Sequence, residues 1–299
     1  MMQRKAILID SSNAVVGKPL PGAAQDMKNW QNFLQSDIGG MWNDDEIADI
    51  PSCPTWENVL EEIVKFREIP YFLFIAFSGH GAFDKYRNAD VISLNHDQVI
   101  PVKELFDAVD CVTKNAIIII DACREEREYV SPTPLNDFTQ NPVTQGYDWN
   151  EVLESIARPS LTKPLFEGVS NSTPTSLPYT DVPELRGAYL MGVKDAWKNA
   201  LDESGPVLIQ SCSKGEFANE QGYGLFSRAM VEYARLWAAQ HKEMYEILNI
   251  SKAFSDAYSL FQGWIANYNS KAEQKVVQTP KISSLKSVLP FAVNVIKPI

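Results

Sequence analysis

At 299 residues, with 45% hydrophobic and 22% charged residues, the chain can bury a substantial core in one large domain or two small ones, and its composition is not that of a disordered protein. A formal net charge of −11 excludes a general nucleic-acid binder, since phosphate contacts need a Lys/Arg surface, and is compatible with a basic substrate or partner. The apolar runs are too short to span a bilayer, no signal-peptide core develops in "RKAILID" before Asp10, and four scattered cysteines (Cys53, Cys111, Cys123, Cys212) suit free thiols in a reducing compartment, so the expectation is a cytoplasmic protein with no membrane partner.

The first half alternates between strand and helix patterns. "KAILID" (5–10) reads as a strand, followed by a helix with Met27, Trp30, Phe33 and Leu34 at three- and four-residue spacing. "TWENVLEEIVKF" (55–66) opens with Thr and Glu in capping positions and sets Val59, Leu60, Ile63 and Val64 on one face. Residues 71–77 form the next strand; then come a polar loop, a helix over "PVKELFDAV" (101–109) and a strand over 116–120. Continuous apolar strands between amphipathic helices predict an α/β fold, with a mainly parallel central sheet covered on both faces.

Between residues 131 and 183 lie eight of the eighteen prolines (132, 134, 142, 159, 164, 174, 178 and 183), mixed with Ser, Thr and Asn. So long a stretch without periodicity reads as a flexible functional loop, with a structured but irregular insertion as the alternative. Regular structure resumes with a strand at "PVLIQSC" (206–212). A helix over "GYGLFSRAMVEYARLWAAQ" (222–240) carries the stripe Leu225, Phe226, Ala229, Met230, Tyr233, Leu236 and Trp237. Another helix carries Ile250, Phe254, Tyr258, Phe261 and Ile265, and "LPFAVNVI" (289–296) can supply an edge strand. The chain therefore reads as one domain over 1–299, with parts at 1–128 and 205–299 joined by a Pro-rich linker or insertion at 129–204.

The chemistry concentrates where two apolar strands stop. "AFSGHG" (76–81) ends the 71–77 strand at His80, and "AIIIIDACRE" (116–125) ends the next at Cys123. In parallel sheets reactive groups gather at the carboxyl edge, and the separation of the two residues fits one strand–helix–strand unit. A thiolate is a strong nucleophile, and a neighbouring imidazole lowers the thiol's pKa and can protonate a leaving amine. Gly79 and Gly81 permit unusual dihedrals, and the unshielded N–H of Gly81 could donate to an oxyanion beside the N–H of Cys123. Singly, each residue has a bland reading, a buried thiol or a loop histidine; the matched strand ends favour the joint one. His96 and His241 read as solvated surface, and Cys212 as structural or part of a substrate loop.

"FSGHG" with "DACRE" resembles the caspase-like cysteine peptidases, the clan of caspases, metacaspases and their bacterial relatives. "KAILID…KPLPGAAQDMKNWQNFL" is similar to the family's first strand and first helix. "VLIQSCSKGEFANE…GYGLFSRAM" is similar to the strand, substrate loop and helix of its small-subunit half, and "VQTPKIS" (277–283) to a tail segment of bacterial members. The middle of the chain carries no such likeness. The resemblance implies a caspase-like three-layer sandwich and a cysteine endopeptidase. It gives His80 and Cys123 as catalytic residues and the backbone of Gly81 and Cys123 as the oxyanion hole. Where caspases proper have Gln and Gly around the nucleophile, this chain has Asp121 and Glu125. Asp121 is the metacaspase-like choice, and with Asp26 it is implied to line the pocket for the residue before the cut. Two carboxylates there favour Arg or Lys in a protein substrate. Ser213, in "SKGE" (213–216), is implied to border the substrate groove.

The resemblance further implies restraint by cleavage of the linker, which makes Arg124, Arg127, Arg158, Lys163 and Arg186 candidate self-cleavage sites, the last three preferred. A separate activator or adaptor, and a role in bacterial defence or programmed death, follow by the same analogy. No cofactor is expected. The acidic runs "NDDE" (43–46) and "DESG" (202–205) raise the calcium some metacaspases need, but their spacing is not that of a calcium loop and solvated charge accounts for them. The rival readings are a silent caspase-like scaffold and a cysteine amidohydrolase acting on small amides.

Overall fold

The computed structural model describes residues 3–14, 19–65, 71–127, 191–195, 198–199, 205–219, 222–241, 246–272 and 275–294. Most of the 129–204 segment, including Arg158, Lys163 and Arg186, lies outside these described residues, as does most of the 202–205 acidic run.

A central sheet of five strands runs in the order β1 (Gln3–Ser11), β2 (Tyr71–Gly79), β6 (Ala116–Asp121), β8 (Val207–Gln210), β10 (Lys281–Ile282). The first four are parallel and β10 closes the edge antiparallel to β8. Alternate side chains of each inner strand enter opposite cores. Phe72, Phe74 and Ala76 of β2 and Ile117 and Ile119 of β6 meet α1 (Pro21–Gln35), α4 (Leu225–Gln240) and α5 (Ile250–Lys271). Leu73, Ile75 and Phe77, with Ile118 and Ile120, meet α2 (Trp56–Val64) and α3 (Val102–Asp110). Burial on both faces is why these strands read as unbroken apolar runs. The result is a three-layer α/β sandwich.

The helices form where their apolar spacing and caps place them. In α1, Met27, Trp30, Phe33 and Leu34 are all buried, and Trp30 packs edge-on against Phe33 and Phe291 and tilted against Phe74. Thr55 caps α2 by accepting from the N–H of Asn58; the reciprocal partner in this capping box is the Asn58 side chain and not the neighbouring Glu57. Val64 and Leu236, both on their predicted apolar faces, are instead substantially exposed.

Three regions differ from the expectation. The polar loop after His80 is a sheet of its own, in which β3 (Gly81–Asp84), β4 (Ala89–Ser93) and β5 (Val99–Pro101) are antiparallel and β7 (Glu126–Arg127) joins β3 in parallel. Its short, half-polar strands carry no long apolar run to announce them. The 289–296 segment does form a strand, β11 (Pro290–Asn294), but it pairs with β9 (Glu246–Asn249) away from the central sheet. Residues 191–195 are helical, and Val193 is buried in the α1/α4/α5 core.

At one end of the sheet a buried ion pair ties β1 to the 43–46 run. Arg4 gives Glu46 two hydrogen bonds of 2.8 and 3.1 Å and lies 4.6 Å over the Trp42 ring, and Lys194 approaches Glu46 at 3.0 Å. Burial opposes the charged form of Glu46, but the hydrogen bonds and charge of Arg4, the Asn43 N–H and Lys194 outweigh it and hold its carboxyl below the ordinary value. A depressed folded-state pKa contributes stability above the unfolded value near 4.5, lost as pH falls through the folded one. Glu46→Gln should therefore lower the melting temperature at pH 7, and the gap to wild type should narrow below pH 4.5. In the core on the same side, which also holds Trp42, Trp30→Ala should cost about 3–5 kcal/mol of unfolding free energy by denaturant titration.

Candidate active site

The register of β2 against β6 runs from Leu73↔Ala116 to Ser78↔Asp121. His80 and Cys123 each lie two residues beyond that last pair, so the sheet delivers them side by side at its carboxyl edge. Both are buried, His80 at 0% and Cys123 at 1% exposure. The backbone is crowded here. A Cβ on Gly79 would lie 2.7 Å from Ser11 Cβ, and one on Gly81 would lie 2.8 Å from Ala122 Cβ and 3.0 Å from the Cys123 carbonyl oxygen. Neither glycine has a positive φ. The need for glycine is therefore room for close approach and not the unusual dihedrals expected from the sequence.

The two aspartates named from the sequence meet at the N-terminus of α4. Asp26, 1% exposed, accepts from Ser78 Oγ at 2.6 Å and from the Gly224 N–H at 2.7 Å. Asp121, also 1% exposed, accepts from Ser227 Oγ at 2.6 Å. Ser78, which donates to Asp26, is also the backbone register partner of Asp121. Gly224 sits so tightly on Asp121 that a Cβ there would fall 2.0 Å from Oδ2. Asp26 lies inside α1, beyond its first turn.

The loop 211–219 folds onto the residues that follow β6. Cys123 Sγ lies 4.0 Å from the Ala218 carbonyl oxygen, and Cys123, Cys212, Ala218, Ala82 and Val91 share one small apolar cluster. Burial, and next the charge of Cys123, pushes the Cys212 thiol well up, so Cys212 is held protonated. Ser213 donates from its N–H to Glu216 at 3.0 Å and from its hydroxyl to the Thr279 carbonyl at 2.8 Å.

A family comparison bears on this arrangement: the family described as the caspase domain matches residues 3–288. The chain belongs to that family. It is accordingly a cysteine-type endopeptidase acting on protein substrates. Among solved structures, caspase-1 from Spodoptera frugiperda is similar at 12% identity and a TM-score of 0.49, over 95% of this chain and 88% of that one. No curated protein matches the chain.

Around Cys123 of this caspase domain, sequence reasoning missed a group of positioning contacts. Arg124, the residue after Cys123, grips Asp90 of β4 with two bonds of 2.8 and 2.7 Å and donates to the Cys212 carbonyl at 3.0 Å. Its backbone is tied to the same loop, by Arg124 N–H to the Glu216 carbonyl at 2.9 Å and the Gly215 N–H to the Arg124 carbonyl at 2.8 Å. Glu216 also accepts from the N–H and hydroxyl of Thr279 at 2.6 and 2.9 Å, and Gln278 holds the Ser211 carbonyl at 2.8 Å. The 277–283 segment, similar to a family tail segment, is thus the outer brace of the loop. The signal available was only the "DACRE" arginine, which had been read as a cleavage candidate; its guanidinium is instead held inside the fold. Arg127 pairs with Glu125.

The remaining candidates fall away from the site. His96 is exposed beside Asp97, while His241 ends α4 half-buried against the Trp237 ring. In the 43–46 run Glu46 is taken by Arg4 and Lys194, and among the described residues no group of three His, Cys, Asp or Glu could hold a metal ion. No helix among the described residues is long and apolar enough to cross a membrane.

Removing Asp90 leaves the Arg124 guanidinium without its bidentate partner. Asp90→Ala should cost about 1.5–3 kcal/mol of stability, and amide hydrogen exchange at Arg124 and Gly215 should accelerate if the pair holds the loop.

Proposed function

We propose that His80 and Cys123 are the catalytic dyad of an endopeptidase that cuts after Arg or Lys. In this reading His80 takes the Cys123 thiol proton, and the thiolate attacks the carbonyl before the cut. The N–H groups of Gly81 and Cys123 hold the developing oxyanion. His80 then returns the proton to the leaving amine, and water releases the acyl-enzyme. The proposal on specificity is carried by one observation: two buried carboxylates, Asp26 and Asp121, converge on the start of α4, where Asp26 accepts from the Gly224 N–H and Asp121 from Ser227 Oγ. Their negative charge in a low-dielectric site selects a cation, and a guanidinium can bond a carboxylate in pairs. The loop holding Ser213 forms the groove wall.

The burial of His80, Cys123, Asp26 and Asp121 describes a closed site, so we infer a latent enzyme that opens on linker cleavage within 129–204 or on binding an activator. Arg158, Lys163 and Arg186 are the proposed cleavage points, and a cytoplasmic role in bacterial defence or cell death is the setting this implies. Calcium is not built into the proposal.

Fluorogenic peptides ending in Arg, Lys or Asp, with and without calcium, test this directly. Turnover should occur with Arg and Lys, vanish in Cys123→Ala and fall about 10²–10⁴-fold in kcat in His80→Ala. Asp121→Asn should lower kcat/KM for Arg peptides about 10–10²-fold, the loss of one charge-assisted bond. Preference for Asp would overturn the pocket assignment. Absence of Cys123-dependent turnover before and after linker cleavage would favour a silent scaffold.

A further inference from the structure

The dyad uses one of two thiols that the fold brings together. The β6–β8 register ends at Ile120↔Gln210, and the Ser211 N–H continues it by donating to the Ile120 carbonyl at 3.0 Å. Cys212 therefore stands level with Ala122, one residue from Cys123. Its sulfur touches the Ala122 carbonyl oxygen at 3.3 Å, on the peptide unit that carries the Cys123 nitrogen, and the Glu216 carbonyl at 3.5 Å. Extended two residues past the ends of β6 and β8, a strand spacing of about 4.8 Å with a one-residue offset of about 3.3 Å corresponds to a Cα separation of about 6 Å. That is inside the span of about 4.4–6.8 Å that a disulfide bridges. Both thiols are buried in the same apolar cluster and both are reduced, whereas Cys111 is exposed and Cys53 half-buried.

We propose that Cys123 and Cys212 form a redox pair, in which oxidation of the nucleophile by hydrogen peroxide is resolved as an intramolecular disulfide. The proposal rests on the reading that Cys123 is the thiolate nucleophile. In the first step the Cys123 thiolate attacks one peroxide oxygen. An S–O bond forms, the O–O bond breaks, and the departing hydroxide takes a proton to become water. In the second step Cys212 gives up its proton and attacks the Cys123 sulfur. The S–S bond forms, the S–O bond breaks, and the leaving hydroxide takes that proton as a second water. Two thiols and one peroxide become one disulfide and two waters.

The electrostatics order the two steps. Cys212 keeps its proton through burial first and the Cys123 charge second. It therefore does not compete for peroxide while Cys123 is a thiolate. Conversion of Cys123 to a neutral sulfenic acid removes the second of those causes, so Cys212 loses its proton more readily than before, against a burial that remains. The pair gives the peptidase an off state that a thiol reductant reverses, and it spares the nucleophile from irreversible sulfinic oxidation.

The test is peptide mapping of the full chain after hydrogen peroxide treatment, with free thiols alkylated under acid denaturation. The expected result is a cross-linked peptide joining Cys123 to Cys212 and lighter by two hydrogens, together with loss of turnover that dithiothreitol restores. In Cys212→Ala, Cys123 should instead gain two oxygens, and dithiothreitol should restore nothing. Sulfinic Cys123 in wild type at the level seen in Cys212→Ala, without the cross-link, overturns the proposal, and the wild-type map decides alone if the variant does not fold. A cross-link in a protein with no turnover before and after linker cleavage would leave the redox pair standing and remove the peptidase reading; turnover without a cross-link would do the reverse.

Discussion

The hydrogen-bonded register between β2 and β6 is the constraint on which the carboxyl edge of the sheet depends. In a parallel pair a slip of one residue would exchange the two faces of a strand. Here both faces are buried, with Phe72, Phe74 and Ala76 on one side and Leu73, Ile75 and Phe77 on the other, so each face has its own core to lose. The register is thus enforced by packing along the whole strand, and its level end at Ser78↔Asp121 is a consequence. His80 and Cys123 inherit their adjacency from residues that never approach a substrate.

From that edge two sets of contacts carry position outward. One runs through carboxylates: Asp26 on α1, Ser78 on β2, and Gly224 and Ser227 at the start of α4 are joined around Asp121. The other runs through Arg124, which joins the hairpin after His80 to the loop of Cys212 and Glu216. Charged groups buried with well-formed partners are costly to assemble but resist rearrangement, which suits a site needing fixed geometry. In this caspase domain fold stability and site geometry are therefore maintained by the same bonds.

The sequence made the long apolar strands and amphipathic helices readable because their periodicity is strong and local. The position of His80 and Cys123 just past two strand ends was legible because each borders such a pattern, while Asp26 and Asp121 entered through the resemblance, and the structure sets both at the start of α4. The hairpin of β3, β4 and β5 was not, since its strands are only three to five residues long and carry no extended apolar run. Nor were Arg124 and Glu216, whose partners Asp90 and Thr279 lie far away in the chain and meet them only in the folded state. Val64 and Leu236 show the converse, apolar residues on the right face at helix positions that the core does not reach.

The pairing of β6 with β8 joins two strands that belong to opposite ends of the long 129–204 connection. The entropy of closing a loop grows only as the logarithm of its length, so the length of this tether weighs little beside packing, to which its own Val193 contributes. Cohesion comes from the shared core, where Ile117 and Ile119 of β6 pack with Val207, Ile209, Phe226 and Phe261. A break in the tether would turn one chain into two that behave as an obligate heterodimer. Its interface would be a slice through a single hydrophobic core, and its dissociation would amount to unfolding.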